Sequence, residues 1–431
     1  MNFKRPYHYL MACLAPILYG HPSEKMVVIG VTGTNGKSTT VEYIGRILEH
    51  AGHRVGWTST ASFKVGEREW ANDKKMTMLG RFQTQRLLRD MVKARCEYAI
   101  VETSSQGIEQ FRHVGINYDV AAFTNLTPEH IESHGGFENY KKAKGKLFTH
   151  LANGSKKNGR EKVAVVNLDD EHAGYFLSFG AAKNYGFGLS SPTSVPPVPF
   201  VSIVAANLSL SATGSTFDIQ DSAFRLPPIG RFNVYNCLAA ISVCRAVGLS
   251  WKEIQDGVAR LAGVPGRLES IDESQPFSVI VDYAPEPYAL TALYEALALI
   301  EHGRVIHVLG STGGGRDVAR RRILGELAAE RDDVVIVSNE DPYDDDPMEI
   351  IRQVADGARA KKTEGENLFL ILDRQEAIRR AISMARPGDL VLLTGKGCEP
   401  VMAVAHGKKI PWDDRAAARR SLHELGYGAH R

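Results

Sequence analysis

A glycine-rich turn between a buried strand and a helix is the first place where residue type and spacing imply chemistry. In VVIGVTGTNGKSTT an apolar run ends at Gly33, Thr34, Asn35, Gly36, Lys37, Ser38 and Thr39, and a helical stretch follows. Glycines let backbone N–H groups approach an oxyanion, and a helix N-terminus favours negative charge. Lys37 has the length to reach terminal phosphate oxygens, and Ser38 can ligate Mg2+. The segment therefore predicts a nucleotide-phosphate cradle. Its spacing is shorter than the usual Walker A, because the position five residues before Gly36 is Val31, not glycine. A phosphate-bound metal wants carboxylate and water ligands. Glu102 closes the apolar run YAIV, and in a parallel sheet that strand end shares an edge with the phosphate loop.

Such residues need a sheet to hold them. From Met26 short apolar runs alternate with helical stretches: MVVIGV, a helix from about Lys37 to Ala51, then YAIVE, VAAFTNL and VAVVNL. Strands spaced by helices predict a parallel sheet. From about Phe187 to Pro228 alternating residues rich in Ser, Thr, Gly and Pro predict a small antiparallel β insert. A helix from about Asn233 to Val247 follows, and VPGR, Val264 to Arg267, reads as a linker. Beyond it FSVIVDY, RVIHVLG, DVVIVSN, NLFLILD and DLVLLTG are five strand candidates of an open doubly wound sheet. The expected class is thus α/β: a helical segment over 1–25, a central P-loop-type parallel-sheet ATPase domain over 26–265, and a Rossmann-like α/β domain over 266–431.

Composition agrees with a multi-domain globular chain. Of 431 residues 43% are hydrophobic and 24% charged, which favours neither disorder nor membrane embedding. A formal charge of +2 argues against a nucleic-acid partner. The five cysteines are scattered with no CxxC pair, which suits a reducing cytoplasm better than a disulfide framework. The apolar run YHYLMACLAPILY contains Pro16 and falls short of the roughly 20 residues a spanning helix needs. It reads as a short helix packed on the body of the protein, with a peripheral membrane contact as the other reading.

Taken together, GTNGKST, ETSSQGIEQ, FTNLTPEHIESHGGFENYKKAKGKLF, GRFNVYNCLAA, VPGRLE, DYAPEPYAL and GKGCEP resemble the Mur ligases, most of all the MurE type. The resemblance runs from about Met26 to the C-terminus, in the family's order. It implies an ATP-dependent ligase that converts a carboxylate to an acyl phosphate and joins it to an amino acid in peptidoglycan synthesis. It further implies two Mg2+ ions, with Ser38 and Glu102 at the first, and His130 with a carbamylated Lys144 at the second. Carbamylation would turn a cation that repels Mg2+ into an anionic oxygen ligand. Asn233 and Asn236 match adenine contacts, Arg267 a γ-phosphate contact, and Asp282 a ribose or phosphate-side position. Thr77, Ser104, Ser105 and Gln106 match the acceptor side.

For the incoming amino acid, the resemblance points to Arg316 at the α-carboxylate and to Gly395 and Glu399 at a distal amino group. The family's DNPR motif falls on Glu340, Asp341, Pro342 and Tyr343, and Tyr343 cannot form the bidentate pair that an arginine makes with a distal carboxylate. With the acids of EDPYDDDP as a negative field, this predicts lysine or ornithine rather than diaminopimelate. Pro285 and Gln106 stand where the family often has histidine, and Cys398 occupies another histidine position. MurE-type enzymes carry about a hundred residues that hold the uridine nucleotide, against the 25 before Met26 here. Uridine recognition is therefore expected to be weak, or a partner supplies that surface. Alternatives are a folylpolyglutamate synthase-like ligase, which GKGCE and WDDR oppose, and a catalytically silent Mur-like subunit that binds a partner.

Overall fold

The computed structural model describes residues 4–129, 131–190 and 198–428. Two units emerge, the first ending at Ala262, the second running from Gly263 and also taking in Glu129–His134. The first opens with α1 (Lys4–Leu18), β1 (Val27–Thr32), α2 (Lys37–His50), β2 (Val55–Thr58), β3 (Ser62–Val65), β4 (Arg68–Ala71) and α3 (Arg81–Lys93). Next in the chain come β5 (Tyr98–Glu102), α4 (Ser105–Glu109), β6 (Val120–Phe123), α5 (Ile131–His134), which is grouped with the second unit, and α6 (Phe137–Ala152). The sheet is completed by β7 (Val163–Asn167), α7 (Ala173–Leu177), β8 (Lys183–Gly188) and β9 (Val201–Val204).

Among the described residues these strands lie in the order β4-β3-β2-β5-β1-β6-β7-β8-β9, and every pairing from β2 to β9 is parallel. Parallel strands covered on both faces read as unbroken apolar runs, which is why VVIGVT and YAIV show no polar alternation. Side chains still alternate between faces. Val28, Val101, Ala121 and Phe123 enter one core with residues of α3, α4, α6 and α7. Their neighbours Ile29, Val31 and Ile100 are fully buried on the face that meets α2. Because β1 sits between β5 and β6, its carboxyl end lies where chain connections diverge, the crevice such sheets use for ligands.

The stretch expected to form one antiparallel insert divides. Val201–Val204 continues the main sheet in parallel, and β10 (Ala206–Ser211), β11 (Gly214–Ile219) and β12 (Ser222–Leu226) make a separate antiparallel sheet. Both halves alternate in sequence, so periodicity alone could not part them. Helices α8 (Arg231–Val247) and α9 (Trp251–Val258) close this unit.

In the second unit all five strand candidates form. The elements are β13 (Glu269–Ser270), β14 (Ser278–Val281), α10 (Pro287–Leu297), β15 (Val305–Leu309), α11 (Ala319–Arg331), β16 (Val334–Ser338) and α12 (Pro347–Ala358). They continue with β17 (Leu368–Ile371), α13 (Arg374–Met384), β18 (Leu390–Leu393), the hairpin β19 (Val401–Val404) and β20 (Lys408–Pro411), and α14 (Asp414–Glu424). The order is β13-β14-β18-β15-β16-β17, with only β13 antiparallel. Ile280, Val305, Val335 and Leu392 pack under α10, α11 and α12, while Val279, Ile306, Ile336 and Leu393 pack under α13 and α14. Helices on both faces of a parallel sheet define the doubly wound arrangement.

Candidate active site

The cradle at the end of β1 is held by the loop after β6. Thr34 N–H donates to the Asn125 carbonyl at 2.8 Å, Asn35 N–H donates to Asn125 Oδ1 at 2.9 Å, and Thr124 Oγ1 donates to the Asn35 carbonyl at 2.7 Å. Two glycines are obligatory. Gly33 has φ 152°, and a Cβ there would lie 1.9 Å from Thr124 Oγ1; Gly36 has φ 79°, and its Cβ would lie 2.0 Å from Asn236 Oδ1. Both positions combine a backbone that L-residues avoid with no space for a methyl group.

Lys37 opens α2, and its ammonium donates to the Thr34 carbonyl at 2.7 Å. A phosphate oxygen is a charged and stronger acceptor for the same group. One residue on, Ser38 Oγ donates to Glu102 Oε2 at 2.7 Å, so the hydroxyl and carboxylate expected on one metal ion do meet. The same carboxylate accepts Thr60 N–H at 2.6 Å and faces Thr60 Oγ1 at 3.0 Å, and Thr60 Oγ1 reaches Thr77 Oγ1 at 2.9 Å. Thr60 carried no sequence signal, although it joins Glu102 to Thr77. Among the described residues no three His, Cys, Asp or Glu side chains converge as a metal site. A hydroxyl, one carboxylate and a phosphate suit Mg2+, which keeps its waters and needs no all-protein cage.

Lys144, on α6, is 1% exposed, donates to the Gly33 carbonyl at 2.7 Å and lies 4.2 Å from the Tyr140 ring centroid. Tyr140 in turn bonds Thr34 Oγ1 at 3.1 Å. Lys144 therefore reaches the cradle; His130 lies outside the described residues. Asn233 and Asn236 stand in the first turns of α8, where Asn233 Nδ2 donates to the Ile229 carbonyl and Asn236 Oδ1 fills the space over Gly36. Ser104 caps α4 by accepting Gly107 N–H, Ser105 is buried behind it, and Gln106 is exposed.

In the second unit Arg267 ends the VPGR turn, its guanidinium 4.4 Å from the Tyr283 ring centroid. Asp282 accepts N–H bonds from Leu268 and Ala284, each at 2.7 Å. Burial pushes the Asp282 carboxyl above the usual range, with Arg267 and those bonds working against it. The turn touches the GKGC loop backbone to backbone: a Cβ on Gly266 would lie 2.1 Å from Cys398 N.

Lys396 is the residue that sequence reading overlooked here. Fully buried, it donates to Asp341 Oδ1 and to Glu399 Oε2, each at 2.9 Å, and to the Val401 carbonyl at 2.8 Å. The acidic run is not a set of unengaged charges. Asp344 accepts His406 N–H, Asp345 accepts Gly314 N–H and approaches Arg321, and Asp346 caps α12. Glu340, pushed up by burial beside Asp341, accepts from Thr312 Oγ1 at 2.6 Å. Tyr343 takes a left-handed φ of 52° and hydrogen-bonds Arg316. Beside Gly395, a Cβ would strike Glu340 Oε2 at 2.5 Å.

Residues 31–244 match the Mur ligase middle domain, and residues 266–397 match the Mur ligase, glutamate ligase domain. The chain is 40% identical over 436 residues to the UDP-N-acetylmuramyl-tripeptide synthetase of Roseiflexus sp. (strain RS-1), covering 97% of this chain and 82% of that protein. It is 37% identical over 422 residues to the UDP-N-acetylmuramoyl-L-alanyl-D-glutamate--2,6-diaminopimelate ligase of Geobacillus kaustophilus (strain HTA426), covering 96% and 83%. A solved structure of a ligase of that second name superposes with TM-score 0.60 at 29% identity, over 93% of this chain and 79% of that one. Mycobacterium tuberculosis folylpolyglutamate synthase, at 16% identity and TM-score 0.70 over 96% and 95%, shares the fold. With both domain families matched in order and these relatives along nearly the whole chain, the chain belongs to the Mur ligases, ATP-dependent acid–amino acid ligases of peptidoglycan synthesis.

Proposed function

We propose that the protein adds the third amino acid to a UDP-muramyl dipeptide in the cytoplasm, with ATP bound by residues 26–265 and the amino acid by residues 266–431. A carboxylate is a poor electrophile at neutral pH, so the acceptor first takes the γ-phosphoryl group and becomes an acyl phosphate. The amine of the incoming amino acid then displaces phosphate. Lys37 and Arg267 stabilise charge on the transferring group, which is electrostatic preorganisation rather than acid–base work. Ser38 and Glu102 would hold one Mg2+, and His130 with carbamylated Lys144 a second; bound Mg2+ neutralises phosphate charge. Thr77 and Ser104 to Gln106 receive the acceptor. The observation that carries this reading is the 2.7 Å contact between Ser38 and Glu102 beside Lys37. It also favours an active enzyme over a silent subunit. Phosphate release that requires ATP, acceptor and amino acid together is the expected result, and release needing neither acceptor nor amino acid would refute it.

The amino acid we infer is lysine or ornithine. Lys396 neutralises one of the two carboxylates it bonds, so Asp341 and Glu399 retain one net negative charge for a distal ammonium. Tyr343 offers a distal carboxylate no cation. Diaminopimelate is the second reading, favoured by the name of the Geobacillus relative. Competition between lysine and diaminopimelate in one reaction separates them, and preferential incorporation of diaminopimelate would refute the first.

A further inference from the structure

The outer face of α1 is unlike the rest of the surface. Its sequence, KRPYHYLMACLAPIL, contains no acidic residue. Ala12 and Ala15 are buried, and the helix packs on α3. Tyr7, Leu10, Leu14, Ile17 and Leu18 recur at helical spacing and are 39–70% exposed, so an apolar stripe faces away from the protein. Phe82, at the start of α3, is a further exposed ring.

The charge around that stripe is predominantly positive. Helix α3 carries Arg81, Arg86, Arg89 and Lys93 against Asp90 alone. Arg81 lies within electrostatic reach of Tyr7, the Arg89 guanidinium sits 4.8 Å from the Tyr19 ring centroid, and Arg86 and Lys93 are exposed. Glu24, in the turn after α1, is bonded by Asn117 Nδ2 at 3.0 Å.

We propose that α1 and α3 form an interfacial platform that docks the protein on an anionic lipid surface. An apolar stripe about 17 Å long, with tyrosines and flanking cations, has the composition of helices that lie in the headgroup region. The helix cannot span a bilayer, for which roughly 20 apolar residues are needed. A symmetric contact with a second copy would set the α3 cations against their own equivalents. The negative potential of a phospholipid leaflet attracts the same cations. This inference is independent of the proposed activity and adds a location to it.

The experiment is vesicle co-sedimentation of the full chain with phosphatidylglycerol-containing vesicles and with pure phosphatidylcholine vesicles. Binding to the first only, weakened by salt, is expected. In Leu10→Glu/Leu14→Glu/Ile17→Glu the bound fraction should fall about tenfold, since apolar burial and charge both set such affinity. Arg86→Glu/Lys93→Glu should weaken binding with the stripe intact. All these positions are exposed, and unchanged circular dichroism and thermal melting keep a folding defect from being read as lost docking. No sedimentation with phosphatidylglycerol, equal sedimentation of wild type and triple variant, or self-association of the wild type abolished in the triple variant would each overturn the proposal.

Discussion

Replacing Lys396 by methionine removes the ammonium that bonds both Asp341 and Glu399 in a site that is nearly dry. Lys396 is fully buried, and its partners Asp341 and Glu399 are 3% and 9% exposed. Methionine fills similar volume and withdraws the ammonium that both carboxylates bond. Breaking a buried pair from one side costs about 3–5 kcal/mol, because the remaining charge stays desolvated. For a unit of this size each kcal/mol lowers the melting temperature by roughly 2–4 °C, so a drop on the order of 10 °C is expected. Calorimetry of the full chain should show one transition moving and the other staying. The triple variant Lys396→Met/Asp341→Asn/Glu399→Gln removes the charges together and should recover at least half the loss. A single variant that melts like wild type would refute the claim that the triad is desolvated. A triple variant that melts as low as the single one would show that packing, not unpaired charge, was lost.

Gly36→Ala should weaken nucleotide binding at least tenfold by titration calorimetry, since strain of about 1–3 kcal/mol adds to the collision with Asn236 Oδ1; unchanged affinity would contradict the geometry. Lys144→Ala should abolish ligation, small carboxylic acids should restore part of it, and intact-mass analysis of the wild type should show the added carbon dioxide of a carbamate. Full activity of that variant without additive would count against the modification. Burial, with His150 and Lys146 nearby, pulls His113 down to about 3. The unfolded chain therefore binds the extra proton first as pH falls. The first unit should lose up to about 1.4 kcal/mol per pH unit from pH 6.5 towards 3 through this group. Urea midpoints at pH 7 and pH 5 should converge in His113→Asn, and an unchanged pH slope would assign the effect elsewhere.

The strand candidates quoted along the chain and the glycine-rich turn were legible because both are written locally. An apolar run, glycines at fixed offsets and Lys-Ser before a helix leave little freedom, and Gly33 and Gly36 proved to be places where no other residue fits. Glu102 could be placed because a strand end in a parallel sheet has only one edge to occupy. Thr60, Asn125 and Lys396 were not legible as site-builders, since each acts through a partner distant in sequence: Thr60 on Glu102, Asn125 on Asn35, Lys396 on Asp341. No period or local motif records such a pairing. The partners of the acidic run were hidden in a related way. Sequence counts charges, whereas Asp344, Asp345 and Asp346 are engaged by a backbone N–H or an arginine. The split of the β insert was hidden because the parallel edge strand and the antiparallel three-stranded sheet alternate alike.

The contact between the turn at Gly266 and the loop at Gly397 has a kinetic corollary. Side chains that touch can rotate and absorb a shift, but here backbone meets backbone: a Cβ on Gly397 would lie 2.6 Å from the Gly266 carbonyl. Arg267 and Glu399 flank this joint, one proposed for the nucleotide and the other for the amino acid. A disturbance at the joint reaches both without slack, so substitutions there should raise the Michaelis constants for ATP and for the amino acid in parallel, whereas damage to either side chain alone would move only one.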